Sequence, residues 1–170
     1  TPSSSSAASD VYKRQGPVVI DLPKDVQLLD APFVEGGVLS ANKQRYLPRT
    51  KPAAEEVKKA VKLMKKAKRP IIYGGGGLIN SGPEASEKLR ELVAQTGWPS
   101  TLTLMGLGVL SADDPHFLGM LGMHGTYEAN MAMHQCDFML NIGARFDDRV
   151  TGRLNAFSPS SVKVHVDIDP

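Results

Sequence analysis

Four short strand-like runs, each ending in a glycine-rich or aspartate-rich turn, constrain this chain more than any other feature. Ile71-Ile72-Tyr73 leads into Gly74-Gly75-Gly76-Gly77, and Ser100 to Leu104 into Met105-Gly106-Leu107-Gly108. Phe138 to Ile142 ends at Gly143, and Val162 to Val166 ends in Asp167-Ile168-Asp169. The uninterrupted apolar stretches Ile71 to Tyr73 and Phe138 to Leu140 suit strands buried on both faces. Between them lie helical periods. Val57, Ala60, Val61 and Met64 fall at i, i+3, i+4 and i+7, with lysines crowding the C-terminal half and Pro70 as the stop. Ser81-Gly82-Pro83-Glu84 starts a second helix, Leu89, Leu92 and Val93 form its buried stripe, and Gly97 ends it. After Gly108 a loop is expected, then a helix around Tyr127 to His134.

Alternating strands and helices predict an α/β fold, a doubly wound, mostly parallel sheet with helices on both faces. Parallel strands put all four turns on one edge, where such sheets bind ligands. The pattern points to a nucleotide-like ligand without selecting one.

The flanks read differently. Thr1 to Asp10 is low-complexity Ser/Ala, so residues 1–15 are expected to be a disordered or non-native leader. Gly16-Pro17 introduces a short strand, Val18-Val19-Ile20, closed by Asp21 to Asp25. Residues 31–52 carry breaks at Pro32, Gly36-Gly37 and Pro48 and read as a linker. Both ends read as cuts through a larger protein.

Composition excludes several classes. The net charge is only +2, and the basic excess sits largely in Lys58 to Arg69 without interleaved aromatics, which argues against nucleic acid. No apolar stretch is long enough to span a bilayer. Cys136 is the single cysteine, so no internal disulfide forms and a reducing, cytoplasmic setting fits.

The individual motifs have plain readings beside functional ones. Gly74 to Gly77 is not the dinucleotide fingerprint, because Ile79 occupies its last glycine position. It is not a P-loop, because Pro83 stands where the phosphate-binding lysine belongs. It suits either close passage of backbone past a ligand or a tight turn with none. His116, His124, His134 and His165 lack zinc spacing. Asp167, at a strand end, is placed to accept a ribose or ribityl hydroxyl. In Arg145-Phe146-Asp147-Asp148-Arg149 the arginines suit a grip on carboxylate or phosphate, or an Arg–Asp network that stiffens the loop.

Taken together, Gly16 to Asp25, Thr103 to Gly108, Met120 to Thr126, Arg145 to Gly152 and His165 to Asp169 resemble the acetolactate synthase (acetohydroxyacid synthase) large-subunit family. The resemblance covers Gly16 to Pro170, and Arg145 to Gly152 with Leu121 to Gly125 is its most specific part. It implies the tail of a pyrimidine-binding domain over residues 16–30, the linker over 31–52, and the family's central FAD-binding domain over 53–170. By the same matching, FAD lies against Gly76, Thr103, Leu104, Leu121, Gly122, Met123 and His124. It also meets Gly143, Ala144, Arg145, Phe146, Asp147, Asp167 and Ile168. Asp148 and Arg149 line the substrate channel. A further arginine contact would fall on Arg14, where Tyr12 to Gln15 departs from the family's sequence.

No catalytic residue is expected in this segment. It has no Gly-Asp-Gly motif for thiamine diphosphate and Mg²⁺, and the activating glutamate would lie upstream, so the segment alone is expected to be inactive. The resemblance further implies 2-ketoacid substrates, FAD without net redox work, homo-oligomers and a small regulatory subunit. Two alternatives stay open. One is another thiamine-diphosphate enzyme, such as glyoxylate carboligase or pyruvate oxidase; the other is a non-catalytic nucleotide- or flavin-binding module.

Overall fold

Pro70 to Gly74 is apolar at every position but one, and burial follows from that. Ile71, Ile72 and Tyr73 are fully buried in the computed structural model, which describes residues 27–30 and 51–168. The expectations for residues 1–26 and 31–50 lie outside the described residues. The chain divides into two units at Leu47/Pro48, and the parallel sheet lies within the second.

The elements of that second unit are α1 (Ala54–Met64), β1 (Pro70–Gly74), α2 (Gly76–Asn80), α3 (Pro83–Thr96) and β2 (Ser100–Leu102). Then come β3 (Phe117–Met120), α4 (Tyr127–Gln135), β4 (Phe138–Ile142), α5 (Asp148–Thr151) and β5 (Val162–Val166). Single 3₁₀ turns occupy Leu104–Gly106 and Leu154–Ala156. All five strands are parallel, in the order β3-β2-β1-β4-β5.

The sheet separates two cores because strand side chains alternate between its faces. Ile71 and Tyr73 pack with Met133, Cys136 and Met139 on one face. Ile72 packs with Leu89, Val93 and Leu102 on the other. Helix α3 covers the second face through the expected Leu89/Val93 stripe and stops at Gly97, whose φ of 64° is the left-handed value glycine tolerates best. The doubly wound α/β reading therefore holds.

Three local expectations need correction. The stretch after Gly108 is not all loop, since Phe117–Met120 forms edge strand β3. Its half-buried residues and the glycine at 119 broke the apolar signal. Helix α1 ends at Met64 rather than running to Pro70: the amide of Lys66 bonds to the carbonyl of Leu63 and that of Ala67 to Met64, tightening the chain into turns. No residue of α1 is buried, and Val57 and Val61 are 45% and 42% exposed. Finally, β2 stops at Leu102, because Thr103 accepts the Gly106 amide through its side chain and turns the chain.

Candidate functional site

The strand order reverses at β1: β2 and β3 are laid down on one side of it and β4 and β5 on the other. The crevice between the carboxyl ends of β1 and β4 is thus the topological switch point, where open α/β sheets receive ligands. Backbone bonds lace this edge from end to end. The Leu121 amide donates to the Leu102 carbonyl at 3.3 Å, and Thr103 to Gly74 at 2.9 Å. Gly75 donates to Ile142 at 2.9 Å, and Gly143 to Val166 at 2.8 Å. The turns after β1, β2, β3, β4 and β5 therefore share one rim.

At the switch point the glycine run has a mechanical role. The Gly77 amide donates to the Gly143 carbonyl at 2.9 Å. A Cβ on Gly75 would sit 2.2 Å from that carbonyl oxygen, and one on Gly77 would sit 2.6 Å from the Gly143 Cα. Two backbones cross here without room for a methyl. Gly76 differs, since its Cβ would meet the Met105 side chain at 3.0 Å, across the mouth of the groove.

The residues singled out in the sequence sort into two groups. Gly76, Thr103, Leu104, Met123, His124, Gly143, Arg145, Phe146, Asp147, Asp148, Arg149, Asp167 and Ile168 are half-buried or exposed along or beside this rim. Leu104, Met123 and Ile168 leave 67%, 65% and 51% of their surface open, a row of uncovered apolar side chains. Leu121 and Ala144, by contrast, are core residues at 3% and 2% exposure, and Gly122 is buried, so Leu121 and Ala144 offer only backbone to a ligand. The Met123 amide donates to the Arg149 carbonyl at 3.0 Å, which docks the turn after β3 onto α5.

The loop Arg145–Arg149 is a built structure. The Asp147 carboxylate caps α5 by accepting the Arg149 amide at 3.1 Å and pairs with Arg145 Nη2 at 2.7 Å. The stiffening Arg–Asp network is thus present, yet the Arg145 side chain stays 86% exposed and keeps donors to spare. Arg149 lies 4.0 Å from Asp148, and both point into solvent. Phe146 anchors the loop, stacking at tilted or edge angles on Tyr73, Phe157 and His165 with ring centroids 5.4–6.4 Å apart. His165 reaches Asp167 at 3.4 Å.

The Arg149 amide first, then the Asp148 carboxyl and the Arg145 guanidinium, hold the Asp147 carboxyl below the usual aspartate range. A depressed carboxylate contributes stability above its unfolded value, about 3.9, and loses it as pH falls through the lower folded value. An NMR titration should therefore place the Asp147 carboxyl midpoint below about 3.9, with α5 loosening only there. A midpoint at or above that value would contradict the cap.

Two residues that matter here were not visible as site residues. Asn141 is fully buried in β4, and its side chain clamps the following turn. It donates to the Ala144 carbonyl at 2.6 Å and accepts the Ala144 amide at 3.2 Å. The signal was one amide inside the apolar run Phe138 to Ile142. Asn141→Ala leaves both Ala144 groups unpaired in the interior and is expected to cost about 2–4 kcal/mol in denaturant unfolding. A loss well under 1 kcal/mol would mean the clamp is dispensable. Tyr73 is the second. Its buried hydroxyl has no partner among the described residues, and burial above all, with the Asp147 carboxylate second, pushes its pKa up to about 12.

Fold and rim together define a doubly wound α/β domain whose strand-end turns are bonded along one edge. Residues 57–170 match the family model described as thiamine pyrophosphate enzyme, central domain, and the chain belongs to that family. It is 46% identical over 157 residues to the acetolactate synthase large subunit of Buchnera aphidicola from Acyrthosiphon pisum, covering 92% of this chain and 27% of that protein. The figures are the same for the acetolactate synthase isozyme 2 large subunit of Escherichia coli K12. For the chloroplastic acetolactate synthase 1 of Zea mays they are 45% over 163 residues, with 92% and 24% covered. The chain thus spans about a quarter of the length of the curated relatives it matches.

Proposed function

We propose that this chain is the middle segment of an acetolactate synthase large subunit and that its strand-end rim binds FAD in an extended pose. The observation that carries this is the lacing of all five strand ends into one edge, with a close glycine crossing at the switch point and open apolar side chains beside it. The residues fit the group. Arg145, with donors beyond those it gives Asp147, takes phosphate; Asp167 takes a hydroxyl; Gly76 leaves room beside Met105; Leu104, Met123 and Ile168 cover apolar ring surface. Leu121, Gly122 and Ala144 contribute through backbone. The flavin's role is structural, without net redox turnover.

In the domain plan proposed here, residues 1–15 are a leader, 16–30 the tail of a pyrimidine-binding domain, 31–52 a linker and 53–170 the FAD domain. Thiamine diphosphate and Mg²⁺ are held by other parts of the polypeptide. There the diphosphate cofactor supports decarboxylation of pyruvate and joining of the two-carbon unit to pyruvate or 2-ketobutyrate, a step in branched-chain amino-acid synthesis. Asp148 and Arg149 line the channel, where the guanidinium meets the carboxylate of the second ketoacid. A homo-oligomer with a small regulatory subunit, in the cytoplasm, is the proposed setting. No helix of the described residues is long and apolar enough to cross a membrane.

Kinetics of the polypeptide that carries this segment test the reading. With thiamine diphosphate, Mg²⁺ and FAD it should convert pyruvate to acetolactate. Arg149→Gln, which keeps bulk but loses the charged fork, should raise KM for the ketoacid about tenfold or more. Failure to join two pyruvates would discard the assignment. An unchanged KM in the variant would remove Arg149 from the channel.

A further inference from the structure

A cavity of about 200 Å³ lies between α4, α5 and the segment that follows α5, with Leu121 of the turn after β3 also in its lining. It is too small for a dinucleotide, whose pockets start at about 300 Å³ and run larger. One wall is apolar: Met133 is a core residue at 1% exposure, and Val150 and Phe157 pack against the same core cluster. The rest of the lining carries Thr151, His134 and Arg153. Thr151 is only 8% exposed, and its hydroxyl makes no hydrogen bond among the described residues. Among the described residues Tyr73 Oη alone is fully buried without a partner, so the Thr151 hydroxyl keeps some contact with solvent and is open to a ligand's bond. Neither Arg153 nor His134 is paired with a carboxylate among the described residues.

An apolar wall beside an unpaired guanidinium, an imidazole and an open hydroxyl is complementary to a small molecule with an aliphatic body and an anionic head. We infer that this cavity binds a short-chain aliphatic carboxylate, with its tail on Met133, Val150 and Phe157 and its carboxylate on Arg153 and Thr151. The C-terminal turn of α4, which carries Met133 and His134, disfavours an anion through its carbonyl ends. The Arg153 charge offsets this, which makes Arg153 the sharpest point of attack. The cavity shares Leu121 with the proposed FAD rim, where that residue lends only its backbone, and the inference does not depend on flavin binding.

The test is a titration of the polypeptide that carries this segment, labelled at its methionine methyls, with sodium 3-methylbutanoate at constant ionic strength. The Met133 methyl, assigned through Met133→Leu, should move along a saturating curve with Kd of about 1–10 mM, as expected for so few heavy atoms. The neutral amide of the same acid should bind about tenfold more weakly, because it gives up the charge-assisted bonds. Arg153→Gln, an exposed position that leaves the core untouched, should weaken the carboxylate about tenfold and leave the amide unaffected. Thr151→Val, which keeps the shape and removes the hydroxyl, should weaken it severalfold. A Met133 methyl that does not move, or moves without saturation, overturns the inference. So does equal binding of acid and amide, or an Arg153→Gln variant that binds like the parent.

Discussion

Gly75→Ala is expected to prevent the parallel sheet from closing. Its new methyl carbon would lie 2.2 Å from the Gly143 carbonyl oxygen and 2.4 Å from the Ala144 Cα, both of them backbone atoms. Neither can rotate away as a side chain would, so relief requires β1 and β4 to part at the switch point. There the Gly75–Ile142 and Gly77–Gly143 bonds hold them together. Overpacking a well-filled interior costs about 1–3 kcal/mol when side chains can yield, and more when they cannot. We expect at least about 3 kcal/mol here, a large part of the 5–15 kcal/mol that stabilises an ordinary domain. Denaturant unfolding or soluble yield measures it. A Gly75→Ala protein with the parent's midpoint would show that the two turns do not cross as described.

Gly76→Val is expected to do something different one residue further on. Here the new Cβ meets the Met105 side chain at 3.0 Å, and Met105 is 74% exposed and free to shift. The fold should survive with a small loss of stability. The branched side chain would, however, stand in the mouth of the groove where the proposed FAD passes closest to backbone. Flavin affinity should fall at least about a hundredfold, which corresponds to about 2.7 kcal/mol. Equilibrium dialysis of the apo-protein, with circular dichroism on the same sample, separates the two effects. Parent-like flavin affinity in Gly76→Val would remove the glycine turn from the binding surface. Loss of fold in this variant, with Gly75→Ala intact, would reverse the roles assigned to the two positions.

The contrast between these neighbours shows what the sequence could and could not reveal. Four glycines in a row mark a turn at a strand end, and that much is legible from steric freedom alone. Which of them serves packing and which serves access depends on what lies across the crevice, and Gly143 is 66 residues away from Gly77. Long-range crossings of that kind leave no local trace. Strands β1 and β4 were legible because burial on both faces demands continuous apolar runs, as in Ile71 to Tyr73 and Phe138 to Leu140. Edge strand β3 was not, because all four of its residues are only half-buried and Gly119 sits within it. The end of α1 was misplaced for a related reason: the lysines beyond Met64 suit a helix as well as the turns they form.

The site was legible in outline and not in its supports. The string Arg145 to Arg149 announced charge at the rim, yet nothing in it distinguished a ligand grip from an internal ion pair. The structure contains the pair, between Arg145 and Asp147, and still leaves most of the Arg145 side chain open. Phe146, expected as a ligand contact, also proves to be the anchor that holds the loop to Tyr73, Phe157 and His165. Leu121 and Ala144 are expected at the ligand, and their side chains lie in the core, so only their backbone is available to one. Such positions match a motif because the backbone there must take one path, and the buried side chain fixes that path. Asn141 belongs to the same category of support, and only its two bonds to Ala144 identify it.

The central claim is that the strand-end turns form one FAD-binding rim, and hydrogen exchange tests it most directly. The polypeptide that carries this segment is stripped of flavin, then compared with and without added FAD. The account predicts about one FAD bound per chain and joint slowing of exchange at the turns around Gly76, Leu104, Met123, Arg145 and Ile168. The opposite edge, around Pro70, Ser100 and Phe138, should stay unchanged. No bound flavin, or protection that falls on the opposite edge, would contradict it.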